Sequence, residues 1–181
     1  MDNLQLEEEL LDEIVTNQGK SLAEHSQDQP ILLVFLRHFG CTFCREALGD
    51  IAARRGFFQE QGAEIILVHM SDFQTAEKYF KEYKLSGITH ISDPNCTYYK
   101  HFGLMKGSFK QLFGLKSWMR GYEAGIKKGV GIGKMLGDGF QMPGVFVIDN
   151  NEVREQFIHK YPSDQPDYDN LLACCTFPER V

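Results

Sequence analysis

The 181-residue sequence has no apolar run near the ~20 residues that a membrane-spanning helix requires. Its acidic start, Met1 to Glu9, lacks the apolar core of a secretory leader, so none is expected there. Basic charge is not in excess either. The net charge of −6 argues against a general nucleic-acid binder. There is no internal repeat and no low-complexity tract. The six histidines are scattered and form no His-Glu-x-x-His motif, and no second Cys-x-x-Cys accompanies the one present. A structural zinc site wants four such ligands, so no metal is expected and no cofactor is implied. The cysteines number five, and an odd total does not suggest a disulfide framework. A reducing, cytoplasmic compartment is therefore the expectation. There, a Cys-x-x-Cys pair is more often catalytic or metal-binding than a structural disulfide.

What the chain does contain is enough apolar material, 43% of residues, for one domain with a proper core over residues 1–181. Leu4, Leu6, Leu10, Leu11 and Ile14 recur at helical spacing among acids, which predicts an amphipathic N-terminal helix. Residues 17–29 are polar, end before Pro30 and read as a connector, so 1–29 is helix plus connector. Ile31 to Leu36 reads as a buried strand. A helix follows, with Cys44, Ala47, Leu48, Ile51 and Ala52 on one face, ending near Gly62. Glu64 to Met70 is a second strand. Ser71 and Gln74 suggest a capping box for the next helix. Thr89 to Ser92 is a third strand, and Asp93-Pro94-Asn95 opens a helix with Pro94 in its first turn. Val145 to Asp149 and Val153 to Ile158, joined at Asn150-Asn151, read as a hairpin. Asp164 to Cys175 reads as a closing helix. Alternating strands and helices predict parallel strands, and the hairpin adds an antiparallel edge. This is the order of an α/β thioredoxin-like fold: a central mixed sheet flanked by helices, with an N-terminal helical extension.

The chemistry concentrates at Cys41-Thr42-Phe43-Cys44, between the first strand and its helix. Backbone N–H groups and the helix dipole stabilise a thiolate at such a junction, and the thiolate is the nucleophile. Thiols three residues apart share a helix face and can reach disulfide distance. Cys41, nearer the turn, is expected to attack, and Cys44 to resolve. Arg37, His38 and Arg45 would favour the thiolate, and Glu46 would oppose it. Met142-Pro143 precedes the late strand. The alternative is a plain trans proline at a strand entrance, but with the box upstream a cis bond is expected, which would bring the Met142 backbone beside the box with its N–H and C=O free for an extended substrate. Arg37, Thr42, Phe43, Met142 and Pro143 are thus the expected substrate contacts. Residues 104–139 hold nine of the 17 glycines and seven basic residues against two acids, which marks a long Gly-rich, basic insertion before the hairpin. Cys96 reads as a small buried residue, and Cys174-Cys175 as reduced thiols.

Three segments resemble the peroxiredoxin-like branch of the alkyl hydroperoxide reductase/thiol-specific antioxidant family, within the thioredoxin-like superfamily. They are Phe35 to Glu46, Ser92-Asp93-Pro94 with Phe102-Gly103, and Pro143 to Asp149. The nearest subgroup by these residues is the peroxiredoxin-like-2 and selenoprotein-L-related proteins. The resemblance implies the fold and antioxidant thiol redox chemistry, with a peroxide or disulfide substrate and a thiol reductant. Two departures stand out. Typical members carry Thr or Ser three residues before the peroxide-reactive cysteine. Here Cys41 stands in that place if Cys44 is the reactive one, and His38 if Cys41 is. Typical members also carry Arg just before the late strand, where this chain has Pro143. The leading expectation is an oxidoreductase cycling through a Cys41–Cys44 disulfide. The alternatives are a non-catalytic binding module that uses residues 104–139, and a zinc-binding domain with a third ligand from His38 or His69. The sequence leaves the oligomeric state open.

Overall fold

The structure, a computed structural model, describes residues 6–108 and 137–173. The chain order is α1 (Glu8–Glu13), α2 (Leu22–Asp28), β1 (Ile31–Phe35), α3 (Thr42–Glu60), β2 (Glu64–His69), α4 (Phe73–Glu82), β3 (Thr89–Ser92) and α5 (Thr97–His101). After residues 109–136 come β4 (Gly144–Asp149), β5 (Glu152–Ile158) and α6 (Tyr168–Ala173). The strands form one five-stranded sheet in the order β3-β2-β1-β4-β5. β1, β2 and β3 are parallel, and β4 and β5 are antiparallel to their neighbours. This is the expected mixed sheet of a thioredoxin-like fold.

The sheet separates two apolar layers because side chains alternate along each strand. Leu32, Val34, Leu67, Val145 and Val147 face α3, α4 and α6, where Leu48, Ile51, Phe58, Phe80 and Leu172 meet them. Ile31, Leu33, Phe35, Ile66, Val68 and Phe146 face the other way, onto Leu11, Leu22, Tyr99 and Phe102. β1 is buried at every position, so its unbroken run of apolar residues lies in the middle of the sheet with helices on both faces. The β4–β5 hairpin turns at Asn150 and Asn151, both at positive φ (50° and 63°), as a two-residue turn of primed type requires.

Four local expectations need correction. Residues 17–29 are not only a connector, because they contain α2. The Ser21 hydroxyl accepts from Glu24 N while the Glu24 carboxylate accepts from Ser21 N, a complete capping box. Leu22, Ala23, His25 and Ser26 are then buried against the sheet. α4 is capped by Asp72, whose carboxylate accepts from Thr75 N at 2.8 Å, rather than by Ser71. Pro94 precedes α5 instead of entering it. The Asp93 carboxylate takes the helix's first N–H groups, those of Thr97 and Tyr98. α6 is shorter than expected at its start. Trp118, Cys174, Cys175 and most of the basic insertion lie outside the described residues.

Candidate active site

β1 runs out at Phe35, and the chain stays pinned to the sheet for one more residue, with Leu36 N donating to Val68 O at 2.9 Å. The hydroxyl of fully buried Tyr99 lies 2.5 Å from Leu36 O and 3.1 Å from Val68 O, which locks the ends of β1 and β2 together. Arg37 follows at once. Its side chain is buried, with 8% exposure, and each of its three guanidinium nitrogens donates a hydrogen bond. Nε donates to Gln141 O at 3.1 Å, Nη2 to Gly139 O, and Nη1 to Cys41 Sγ at 3.0 Å. One cation therefore holds the 139–141 strap and the first sulfur of the box together.

Cys41 is the N-cap of α3, and Cys44 lies in its first turn. Both are free thiols and both are buried. Cys44 Sγ donates to Arg37 O at 3.5 Å. Burial pushes the Cys44 thiol well above its ordinary range, and the Cys41 sulfur beside it adds to this against the opposing charge of Arg37. Cys44 is therefore held as a protonated thiol, while a guanidinium N–H is aimed at Cys41. That contact is a charge-assisted hydrogen bond from the guanidinium to the sulfur.

The other expected activators behave differently. Burial, with Arg37 beside it, lowers His38 to about 4, so at neutral pH it carries no charge toward the sulfurs. Arg45 Nε donates to Tyr83 OH at 2.8 Å. Glu46 is buried near the box.

The Met142–Pro143 bond is trans, contrary to the cis expectation. The Met142 backbone is not open to an extended ligand. Its carbonyl accepts from the Gln141 amide at 3.3 Å, and Pro143 O accepts from His159 N at 3.4 Å because β5 pairs along this edge. Met142 itself is buried. The strap meets the box through the carbonyls of Gly139 and Gln141, and their partner is Arg37. Gln141, 2% exposed, also donates to Leu104 O at 2.9 Å and so closes the two ends of the long connection.

A cavity of about 130 Å³ opens beside Cys44. Phe43, Cys44, Pro143, His159, Ser163 and Tyr168 contribute to its walls. Cys44 lines it and Cys41 does not. Thr42, expected as a substrate contact, is buried at the helix start and is not among its walls. His159 and Ser163 escaped the sequence reading. They follow the last strand, and only its pairing with β4 carries them to the box.

A mixed five-stranded sheet with two cysteines at the junction of a central strand and its helix defines a thioredoxin-like protein. The pattern of the AhpC/TSA family matches residues 7–156, and the chain belongs to that family. Its relatives are distant. The chloroplastic thioredoxin-like protein AAED1 of Arabidopsis thaliana is 25% identical over 158 residues, covering 82% of this chain and 63% of that protein. Peroxiredoxin-like 2C of Homo sapiens is 32% identical over 84 residues, covering 45% of this chain and 36% of that protein. Prostamide/prostaglandin F synthase of Sus scrofa is 25% identical and covers 94% of this chain and 86% of its own length. Two of these relatives therefore extend well beyond the region shared with this chain. Among solved structures, peroxiredoxin Q of Xanthomonas campestris superposes with a TM-score of 0.62 at 16% identity, covering 96% of each chain. The likeness to that structure is one of fold.

Proposed function

We propose that the protein is a thiol-dependent oxidoreductase that cycles between a dithiol and a Cys41–Cys44 disulfide. The observation that carries this reading is the asymmetry of the box. Arg37 Nη1 is 3.0 Å from Cys41 Sγ, while burial keeps Cys44 protonated one helical turn away. Membership in the AhpC/TSA family supports thiol-based redox chemistry. In the first step the Cys41 thiolate attacks a peroxide oxygen or a disulfide sulfur. The O–O or S–S bond breaks, and an alcohol, water or thiol leaves. Cys41 is then a sulfenic acid or a mixed disulfide. In the second step Cys44 displaces the hydroxyl or the substrate sulfur and closes the Cys41–Cys44 bond. Two equivalents of a thiol reductant, as in a reducing cytoplasm, then restore the dithiol.

The test is trapping. With Cys44→Ser, a mixed disulfide between Cys41 and a small disulfide substrate accumulates stoichiometrically. With Cys41→Ser it does not form at a comparable rate. Accumulation on Cys44 in the Cys41→Ser protein at the wild-type rate would reverse the assignment of the two sulfurs.

A further inference from the structure

The proposed cycle leaves one proton without a destination. Cys44 must lose it to attack Cys41, yet burial makes that loss costly. Of the carboxylates around the cavity, Asp164 already accepts from Lys160 N at 2.9 Å and Tyr161 N at 2.8 Å. Glu46 and Asp50 have partners of their own. His159 is placed differently. Its backbone N–H bonds Pro143 O, which brings the ring to the cavity wall that Cys44 shares. Its Nδ1 is buried and has no hydrogen-bond partner among the described residues. Ser163, 6% exposed, lines the same cavity, and its Oγ also has no partner among the described residues. The volume has room for several waters, and a buried water needs polar partners of this kind.

The groups facing the His159 ring have opposing effects. Burial lowers it to about 4, and Arg37 adds to the lowering. The Asp164 charge and the backbone carbonyls of Pro143 and Asp164 oppose them. The imidazole is thus neutral at physiological pH, and in its Nε2–H form Nδ1 would carry the free lone pair.

We propose that His159 Nδ1 accepts the Cys44 thiol proton in the resolving step, through water held in the cavity by Ser163 Oγ. The inference rests on the proposed dithiol cycle. As the proton leaves, Cys44 Sγ bonds to Cys41 Sγ, and the bond from Cys41 to its hydroxyl or substrate sulfur breaks. Cys44 is oxidised. Cys41 of the sulfenic acid, or the departing sulfur of the mixed disulfide, is reduced. The imidazolium then protonates the leaving hydroxide or thiolate and returns to its neutral state.

The experiment follows the neutral chromogenic disulfide dithiodipyridine by stopped flow. The protein is the full chain carrying Cys96→Ser, Cys174→Ser and Cys175→Ser. The first phase reports attack by Cys41 and the second reports resolution by Cys44. His159→Gln is expected to leave the first phase within about twofold and to slow the second at least about tenfold, within the range of general-base effects. The second phase is expected to be nearly flat with pH around neutrality in the parent and to rise steeply with pH in the variant. His159→Asn provides a second variant. A normal solvent deuterium isotope effect on the parent's second phase needs no substitution at all. An unchanged second phase, equal slowing of both phases, or no isotope effect would overturn the role of His159. If the parent shows no second phase, the dithiol cycle falls along with it. If the parent shows both phases and His159→Gln matches it, only the role of His159 falls.

Discussion

The guanidinium of Arg37 unites two features that lie far apart in sequence, the cysteine box and the strap that precedes β4. Its place just before the box is legible in the sequence, and so is its sign. Its contact with the Cys41 sulfur is not, because the orientation depends on the carbonyls of Gly139 and Gln141, which arrive about a hundred residues later. His38 shows the same limit from the other side. Its position suggests a helpful cation, but burial removes the charge. Arg37→Met is expected to slow alkylation of Cys41 near pH 7 by roughly tenfold to a hundredfold, the worth of one charge-assisted hydrogen bond. Rates are measured by mass spectrometry of the labelled peptide, and an unchanged rate would remove Arg37 from the account. Arg37→Lys should recover only part of the loss, since an ammonium cannot match the planar fork that serves three acceptors.

At the scale of elements, strands were the most legible parts and short helices the least. The alternating or continuous apolar runs of β1 to β5 leave few other placements once one face must be buried. α2 was missed although its signal, Ser21 followed three residues later by Glu24, is present. Polar composition outweighed a cap that burial of Leu22 and His25 then reinforces. Ser21→Ala is expected to cost about 1 kcal/mol and to lower the melting temperature by roughly 2–4 °C. No shift in a thermal melt would mean that α2 does not need its cap.

The same helix is tied to β2 by His25 Nδ1 and Glu64 Oε2 at 2.9 Å. Burial alone would raise the Glu64 carboxyl, but the bonds from His25, Thr89 and Gln29 outweigh it and hold the group at about 2. A depressed carboxyl stabilises the fold above its unfolded value of ~4.3, and the gain is lost as pH falls toward the folded value. The unfolding free energy from urea titrations should therefore fall between about pH 5 and 2 by an amount on the order of 2 kcal/mol. Glu64→Gln should flatten that part of the profile. An equally steep drop in the variant would assign the acid sensitivity to other groups.

The whole molecule places the two sulfurs of the box by convergence: β1 delivers Arg37, α3 delivers both cysteines, and the strap and β4 close over them. Gly144 shows how tight this closure is. A Cβ there would lie 2.6 Å from Leu104 Cδ2. Gly144→Val is expected to lower both the melting temperature and the Cys41 alkylation rate, because displaced Leu104 carries the carbonyl that anchors Gln141. Loss of stability with full Cys41 reactivity would show that the strap and the box are not coupled. The hairpin was legible from Asn150-Asn151, but the cavity beside Cys44 was not, since His159 and Ser163 reach it only through tertiary pairing. The central claim concerns one bond, and one peptide reports it. Trypsin cleavage after Arg37 and Arg45 releases His38 to Arg45, which contains both cysteines of the box. After one equivalent of oxidant, followed by blocking of free thiols, this peptide should appear unalkylated and lighter by two hydrogens. A peptide that instead carries two blocking groups, with oxidation found elsewhere in the chain, would contradict the account.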